Sequence, residues 1–324
     1  MEVIKLNILV GTPNESFDIE ELKQNFAKNN NFNSKIYFEN DDLSQSDLDS
    51  INVLVGYNQE LLDKMLNSNQ SQLKWIQALS AGVDYFPLEK LNEKHVKLTT
   101  VSGIHAEPIA ETVIGMVLGS YRFIDESARA QGWIKPVNQL KMIKNKKAVV
   151  YGTGSIGGRI GELLQAFKAN TIGVNHSGHA ANGFDQTFSM DGDEADIYDA
   201  DLVINTLPLT PETKDFYNRE FFNKLNNKPM YISIGRGPST NTEDLTNALQ
   251  QGQLSAAALD VTDPEPLNPD HPLWKMDNVV ITSHISGFYA EYVEEALKIF
   301  DVNMKQFIQD STLVKNEVNL SKGY

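Results

Sequence analysis

Apolar and polar positions along the chain fall into two alternating rhythms. Short apolar runs at residues 3–10, 34–39, 52–56 and 74–78 each predict a strand. Between them, residues 17–28 carry Phe17, Ile19, Leu22 and Phe26 at helical spacing, and residues 59–66 follow the same period. The Asn/Asp/Ser-rich stretch 40–50 reads as a solvated loop. Strands alternating with helices predict a parallel sheet flanked by helices, complete by about residue 100.

The alternation then begins again without any repeat of sequence. Residues 107–123 predict a long helix with Ile109, Val113, Ile114, Met116, Val117 and Leu118 as its apolar points and Pro108 in its first turn. Its 109–118 face suits either a subunit contact or a buried interdomain position. Residues 131–146 have no clear period. Apolar strands follow at 148–151, 171–175, 202–205, 229–234, 257–261 and 279–282, and residues 290–309 predict a last amphipathic helix. The fold class expected is α/β, with two doubly wound parallel-sheet, Rossmann-like domains.

Between the first of these later strands and its helix lies GTGSIGG at 152–158. Gly152, Gly154 and Gly157 have the spacing G-x-G-x-x-G, and Ile160, Leu163, Leu164 and Phe167 continue as a helix. A strand, a glycine turn and a helix in that order form a phosphate-binding corner. The first glycine permits the turn, the second lets backbone approach a pyrophosphate, and the third lets helix and strand pack closely.

Charge and composition narrow the partners. The 324 residues carry a formal net charge of −15. Such a charge opposes binding to nucleic acid or to anionic membranes, because both are polyanions. There is no cysteine, which excludes disulfides, thiolate nucleophiles and Cys-ligated metal centres and fits a cytoplasmic address. The segment MEVIKLNILVG has Glu2 and Lys5 inside its apolar pattern and reads as a buried strand rather than a signal peptide.

In a doubly wound sheet, ligands collect beyond the carboxyl ends of the strands. Arg236, Glu265 and His284 each lie just past such an end. The set suits a reaction that builds negative charge on a carbonyl oxygen, such as hydride reduction of a 2-oxo acid. A guanidinium stabilises that charge and can fork onto a carboxylate. An imidazolium delivers the proton, and a neighbouring carboxylate favours its charged form. The spacing alone does not name the reaction.

Several stretches together do point to a family. LKWIQALSAGVD (73–84), HAEPIAETVIGM (105–116), YGTGSIGG (151–158), NTLPLTPET (205–213), ISIGRGPSTNTEDL (232–245), ALDVTDPEPL (258–267) and NVVITSHISG (278–287) resemble the D-isomer-specific 2-hydroxyacid dehydrogenases, in the glyoxylate/hydroxypyruvate reductase-like branch. The resemblance implies a substrate-binding domain from residues 1–100 and 288–324, with a dinucleotide-binding domain, 101–287, inserted into it. It also implies that Arg236 binds the substrate carboxylate and polarises its carbonyl, that His284 is the general acid/base, and that Glu265 is its partner. Asp260 would orient the nicotinamide carboxamide, Ala81, Gly82 and Val83 would offer N–H groups to the substrate, and Thr153, Gly154, Ser155 and Ile156 would wrap the pyrophosphate. Leu207 and Pro208 would line the adenosine side. Family members are commonly homodimers.

The chain departs from the family at three places. The acidic residue that binds ribose hydroxyls in NAD-dependent members is Asn175 here, followed by His176 and Ser177; the expectation is NADP(H) over NAD(H). Ser283 replaces the proline usual before the catalytic His, and Pro238 stands where a backbone donor is commoner. Two other readings remain: a non-catalytic nucleotide-sensing binding protein on the same fold, and a phosphoglycerate dehydrogenase-like enzyme.

Overall fold

The computed structural model describes residues 6–12, 17–29, 34–192 and 195–321. The chain divides into two compact units, Met1–Ile104 with Tyr289–Tyr324, and His105–Phe288. Both are Rossmann-like.

The first unit holds strands β1 (Asn7–Val10), β2 (Lys35–Phe38), β3 (Val53–Val55), β4 (Trp75–Gln77) and β5 (Lys97–Thr99), in the sheet order β2-β1-β3-β4-β5, every pair parallel. Residues 3–5 of the expected first strand lie outside the described residues. Helices α1 (Ile19–Asn29), α2 (Gln45–Asp49), α3 (Gln59–Asn67) and α4 (Leu88–Glu93) connect the strands. β3 and β4 are buried along their whole length. That is why they read as continuous apolar runs rather than as an alternation.

Two expectations for this unit need correcting. The stretch 40–50 is not all loop, because α2 lies within it. Ser44 accepts a hydrogen bond from Asp47 N, and the Asp47 carboxylate accepts one from Ser44 N, a reciprocal capping box. Leu48 buries the short helix into the core. Strand β5 was not foreseen, having only Leu98 as an apolar residue among its three.

The second unit holds α5 (Ala106–Tyr121), α6 (Ile124–Arg129), β6 (Lys147–Tyr151), α7 (Ser155–Ala166), β7 (Asn170–Asn175), β8 (Gln186–Ser189), α8 (Ala195–Tyr198), β9 (Leu202–Asn205), α9 (Arg219–Lys224), β10 (Met230–Ser233), α10 (Thr242–Gln250), β11 (Ala256–Leu259) and β12 (Val279–Ile281). Its parallel sheet runs β12-β11-β10-β9-β6-β7-β8. The unforeseen edge strand β8 is Gln-Thr-Phe-Ser, too polar to read as a strand but paired along β7. The 109–118 face does not form a free surface. Ile109, Val113, Ile114, Met116 and Val117 are buried in the core of this unit with Val150, Ile160 and Ile204.

Helix α11 (Tyr292–Asp310) closes the first unit. Its buried stripe of Val293, Ala296, Leu297, Phe300, Met304 and Phe307 covers the sheet face of Ile8, Val10, Val53 and Trp75. The Trp75 ring stacks on Phe300 at 5.4 Å between centroids, and its indole N–H donates to Thr99 Oγ1 at 2.8 Å. No helix of the described residues is long and apolar enough to cross a membrane.

Candidate active site

The glycine turn leaves the carboxyl end of β6, the strand flanked by β9 and β7 near the middle of its sheet. Gly152 sits at φ 95°, in the left-handed region that favours glycine, and a Cβ on Gly157 would lie 1.8 Å from Gly152 O. Thr206, just past β9, fastens the turn by donating to Tyr151 O at 2.8 Å and to Gly152 O at 3.1 Å. Gly154 is the N-cap of α7 and contributes no side-chain cap, so the first N–H groups of the helix have no partner within it. They open on a cavity of about 410 Å³ lined by Thr153, Gly154, Ser155, Gly158, Arg159 and Asn182, among others. A Cβ built on Gly154 would meet nothing within 4 Å. This is a cradle with free donors, a positive helix end and room for a pyrophosphate. Arg159, on the wall of the cavity, is held by Glu107 of α5 at 2.6 and 2.9 Å.

At the carboxyl end of β7, Asn175 organises its own loop. Its Oδ1 accepts from Ser177 N at 3.2 Å and Gly178 N at 2.7 Å. Its Nδ2 donates to Thr153 Oγ1 at 2.9 Å and His179 O at 3.0 Å. The residue expected to meet the adenosine ribose is thus tied directly to the glycine turn. His176, Ser177 and His179 are exposed on this loop. Asp185 lies at the other end of β7, where it accepts from Thr171 N at 2.8 Å. Glu212 lies near this loop. The Thr210 hydroxyl chiefly, and His176 to a smaller degree, hold its carboxyl below the usual range. Leu207 is buried and donates its N–H to Asn205 Oδ1 at 3.0 Å. Pro208 is exposed, its carbonyl accepting from Thr213 Oγ1 at 2.6 Å.

Arg236 follows β10 between two glycines that have no room for side chains. A Cβ at Gly235 would lie 2.5 Å from Leu207 O, and one at Gly237 would lie 1.8 Å from Thr262 O. The guanidinium donates to Gly235 O at 2.8 Å. Glu265 lies in the loop after β11, where the Asp263–Pro264 and Glu265–Pro266 bonds are both cis. His284 follows β12, and its Nδ1 meets Glu265 Oε1 at 2.6 Å. Glu265 raises the imidazole pKa, first through this hydrogen bond and also through its charge. Burial and the Arg236 charge act against it. With Nδ1 engaged by Glu265, Nε2 is the nitrogen left for proton transfer.

Asp260 is 2% exposed and faces the same turn as His284. Ala81, Gly82 and Val83 belong to the other unit, in the turn after β4. There Ser80 donates its hydroxyl to Gly82 O at 2.7 Å, Ala81 is exposed and Val83 is buried. His105, the N-cap of α5, was not singled out from the sequence. Burial, and next the Arg236 charge, push its pKa down to about 4. Gly287 gives it room, since a Cβ there would lie 3.0 Å from His105 Cδ2. The only signal in the sequence was its place at the head of HAEPIAE.

Comparison with known proteins matches residues 114–286 to the D-isomer specific 2-hydroxyacid dehydrogenase, NAD binding domain. A glyoxylate reductase/hydroxypyruvate reductase of Mus musculus is 30% identical over 255 residues, 76% of this chain and 77% of that one. The crystal structure of phosphoglycerate dehydrogenase from Lactobacillus plantarum is 37% identical, with a TM-score of 0.55 over 97% of this chain and all of that one. An NADPH-dependent glyoxylate/hydroxypyruvate reductase from Sinorhizobium meliloti, solved with NADP and sulfate, shares the fold at a TM-score of 0.82. It is 24% identical, and the match covers 99% of this chain and 100% of that one. The paired His284 and Glu265 and the glycine cradle therefore stand within a matched region that takes in most of their unit, and the chain belongs to the D-isomer specific 2-hydroxyacid dehydrogenase family, in its glyoxylate/hydroxypyruvate reductase-like branch.

Proposed function

We propose that the protein reduces glyoxylate, hydroxypyruvate or a similarly small 2-oxo acid with NADPH. The coarser activity, an NAD(P)-dependent oxidoreductase of small 2-oxo and 2-hydroxy acids, comes with the family. The observation that carries the chemistry is the 2.6 Å His284–Glu265 hydrogen bond beyond β12.

The dinucleotide would lie along the glycine turn, its pyrophosphate at the N-terminus of α7 and its adenosine ribose toward Asn175. When bound, its nicotinamide supplies the hydride. Arg236 binds the carboxylate of the acid and draws charge onto the carbonyl oxygen. His284, kept protonated by Glu265, gives its Nε2 proton to that oxygen, and in the reverse direction takes it back. Residues 1–100 and 288–324 are the substrate-binding domain in this reading, with Ala81, Gly82 and Val83 as its carboxylate contacts, and residues 101–287 bind the cofactor. Leu207 and Pro208 line the adenosine side.

Preference for NADP(H) rests on Asn175, which puts no carboxylate at the ribose, and on the His176, Ser177 and His179 side chains exposed beside it. The partner beyond substrate is a second copy of the chain. Its contact is not the buried 109–118 face but the segment after it. Ile124, Trp133, Val137 and Met142 are 56, 90, 70 and 63% exposed there, more apolar surface than a solvated segment ordinarily shows. The net charge of −15 argues against nucleic acid and membrane partners, and the absence of cysteine accords with a cytoplasmic location.

A panel of 2-oxo acids with NADPH and NADH tests the reading. Turnover of glyoxylate or hydroxypyruvate, more efficient with NADPH, is expected. Intact NADPH binding with no turnover of any 2-oxo acid would favour a nucleotide-sensing role instead. His284→Ala should lower kcat by about 10²–10⁴-fold with NADPH affinity nearly unchanged.

A further inference from the structure

The turn after β12 holds more than His284 and its contact with Glu265 of the preceding loop. His284 has φ 55°, a left-handed conformation that residues other than glycine seldom adopt. The next two N–H groups converge on one carboxylate. Ile285 N donates to Asp260 Oδ1 at 3.0 Å, and Ser286 N donates to Asp260 Oδ2 at 3.1 Å. Two hydroxyls complete the set, Thr282 Oγ1 on Oδ1 at 2.6 Å and Ser286 Oγ on Oδ2. The N–H of His284 itself donates to the Asp260 carbonyl at 2.9 Å.

A carboxylate offers about four lone-pair sites. Those of Asp260 meet four donors, all from residues 282–286. Ser286 is 5% exposed, so its hydroxyl has little access to water and its bond to Asp260 is part of the buried framework. Ser283, by contrast, is exposed. Proline would restrict the chain there by its ring, and serine leaves that restriction to other bonds.

We infer that Asp260, Thr282 and Ser286 are positioning residues for His284. The Asp260 carboxylate gathers the turn around itself and fixes the direction from which the imidazole meets Glu265. The Ser286 hydroxyl supplies a restraint that residue 283 does not. Asp260 thus holds the turn, a role additional to the nicotinamide contact that the family resemblance implies. This inference rests on His284 as the acid/base of the proposed reaction.

The test uses two single variants of the full chain, Ser286→Ala and Thr282→Val, which each remove one donor from a different oxygen of Asp260. Each is expected to lower kcat for the 2-oxo acid about five- to twentyfold, with KM and the Kd for NADPH within twofold of the wild type. Looser pairing with Glu265 should also lower the His284 pKa, read from its ring resonances by NMR. Unchanged kcat and unchanged His284 titration in both variants would overturn the inference. So would a raised Kd for NADPH with His284 titrating as before, because that pattern belongs to a cofactor contact. If the wild type turned over no 2-oxo acid, the functional reading would fall, and the NMR titration would still decide whether these hydroxyls position His284.

Discussion

Two turns of the second unit solve one problem by different means. After β7, Asn175 Oδ1 gathers the N–H groups of Ser177 and Gly178. After β12, the Asp260 carboxylate gathers those of Ile285 and Ser286. The first acceptor is neutral and lies two and three residues from its donors. The second is a carboxylate lying 25 and 26 residues away, buried and filled on both oxygens. A local neutral acceptor shapes a loop whose side chains stay exposed and exchangeable. A remote buried carboxylate commits two strands to one arrangement. The contrast accords with their proposed roles, one turn selecting between cofactors and the other holding a proton donor.

Removing the remote acceptor should have the largest effect. Asp260→Ala leaves the Ser286 N–H and hydroxyl buried without a partner, at about 1–3 kcal/mol for each such group. A drop in Tm together with at least a hundredfold loss of kcat is the expected result; near-normal activity would mean that the turn holds itself. Glu265→Gln acts on the same turn more gently. It removes the charge and weakens the hydrogen bond that raise the His284 pKa. The reductive reaction needs imidazolium, so its rate falls as pH rises through that pKa. In the variant this falling limb should move to lower pH, with about ten- to hundredfold less activity at neutral pH.

The local turn should yield a change of preference rather than of rate. Asn175→Asp keeps the acceptor for Ser177 and Gly178 but sets a negative charge where the 2′-phosphate would lie. NADPH efficiency should drop about tenfold, or 1.4 kcal/mol, while NADH efficiency holds or rises. Equal losses with both cofactors would remove Asn175 from the specificity argument. The remaining effect is read in stability rather than in activity and concerns His105. Its native pKa of about 4 lies below the ordinary 6.5, so the unfolded chain takes up its proton first as pH falls. Stability therefore rises with pH across that window, by up to about 1.4 kcal/mol per pH unit from this group. In His105→Asn, the loss of stability between pH 6.5 and 4 should be shallower, as chemical denaturation at several pH values would reveal.

Features determined by neighbouring residues are legible in the sequence, and features determined by distant partners are not. Apolar runs such as Val53–Val55 and residues 202–204 lie within expected strands because sheet burial on both faces writes itself locally. The glycine turn was legible for the same reason. Arg236, Glu265 and His284 were found by a topological rule, as residues just past strand ends. Strands β5 and β8 escaped because pairing, not apolar content, defines them. Thr282 and Ser286 escaped because a hydroxyl carries no mark of the carboxylate it serves 22 or 26 positions earlier. His105 escaped because its shift comes from burial and from Arg236, neither of which is encoded near it.

Helix α11 has a consequence for the order in which the protein can be made. The sheet face around Trp75 is covered by Phe300, Met304 and Phe307, which leave the ribosome after the whole of residues 105–288. At roughly 5–20 residues per second, those 184 intervening residues take on the order of 10–40 s to synthesise. By the end of that interval the second unit has its entire sequence available, while the first still carries an uncovered tryptophan on the growing chain. A nascent chain arrested once residue 288 has emerged, and before residue 292 does, should accordingly be a chaperone client through its first unit and a folded domain through its second.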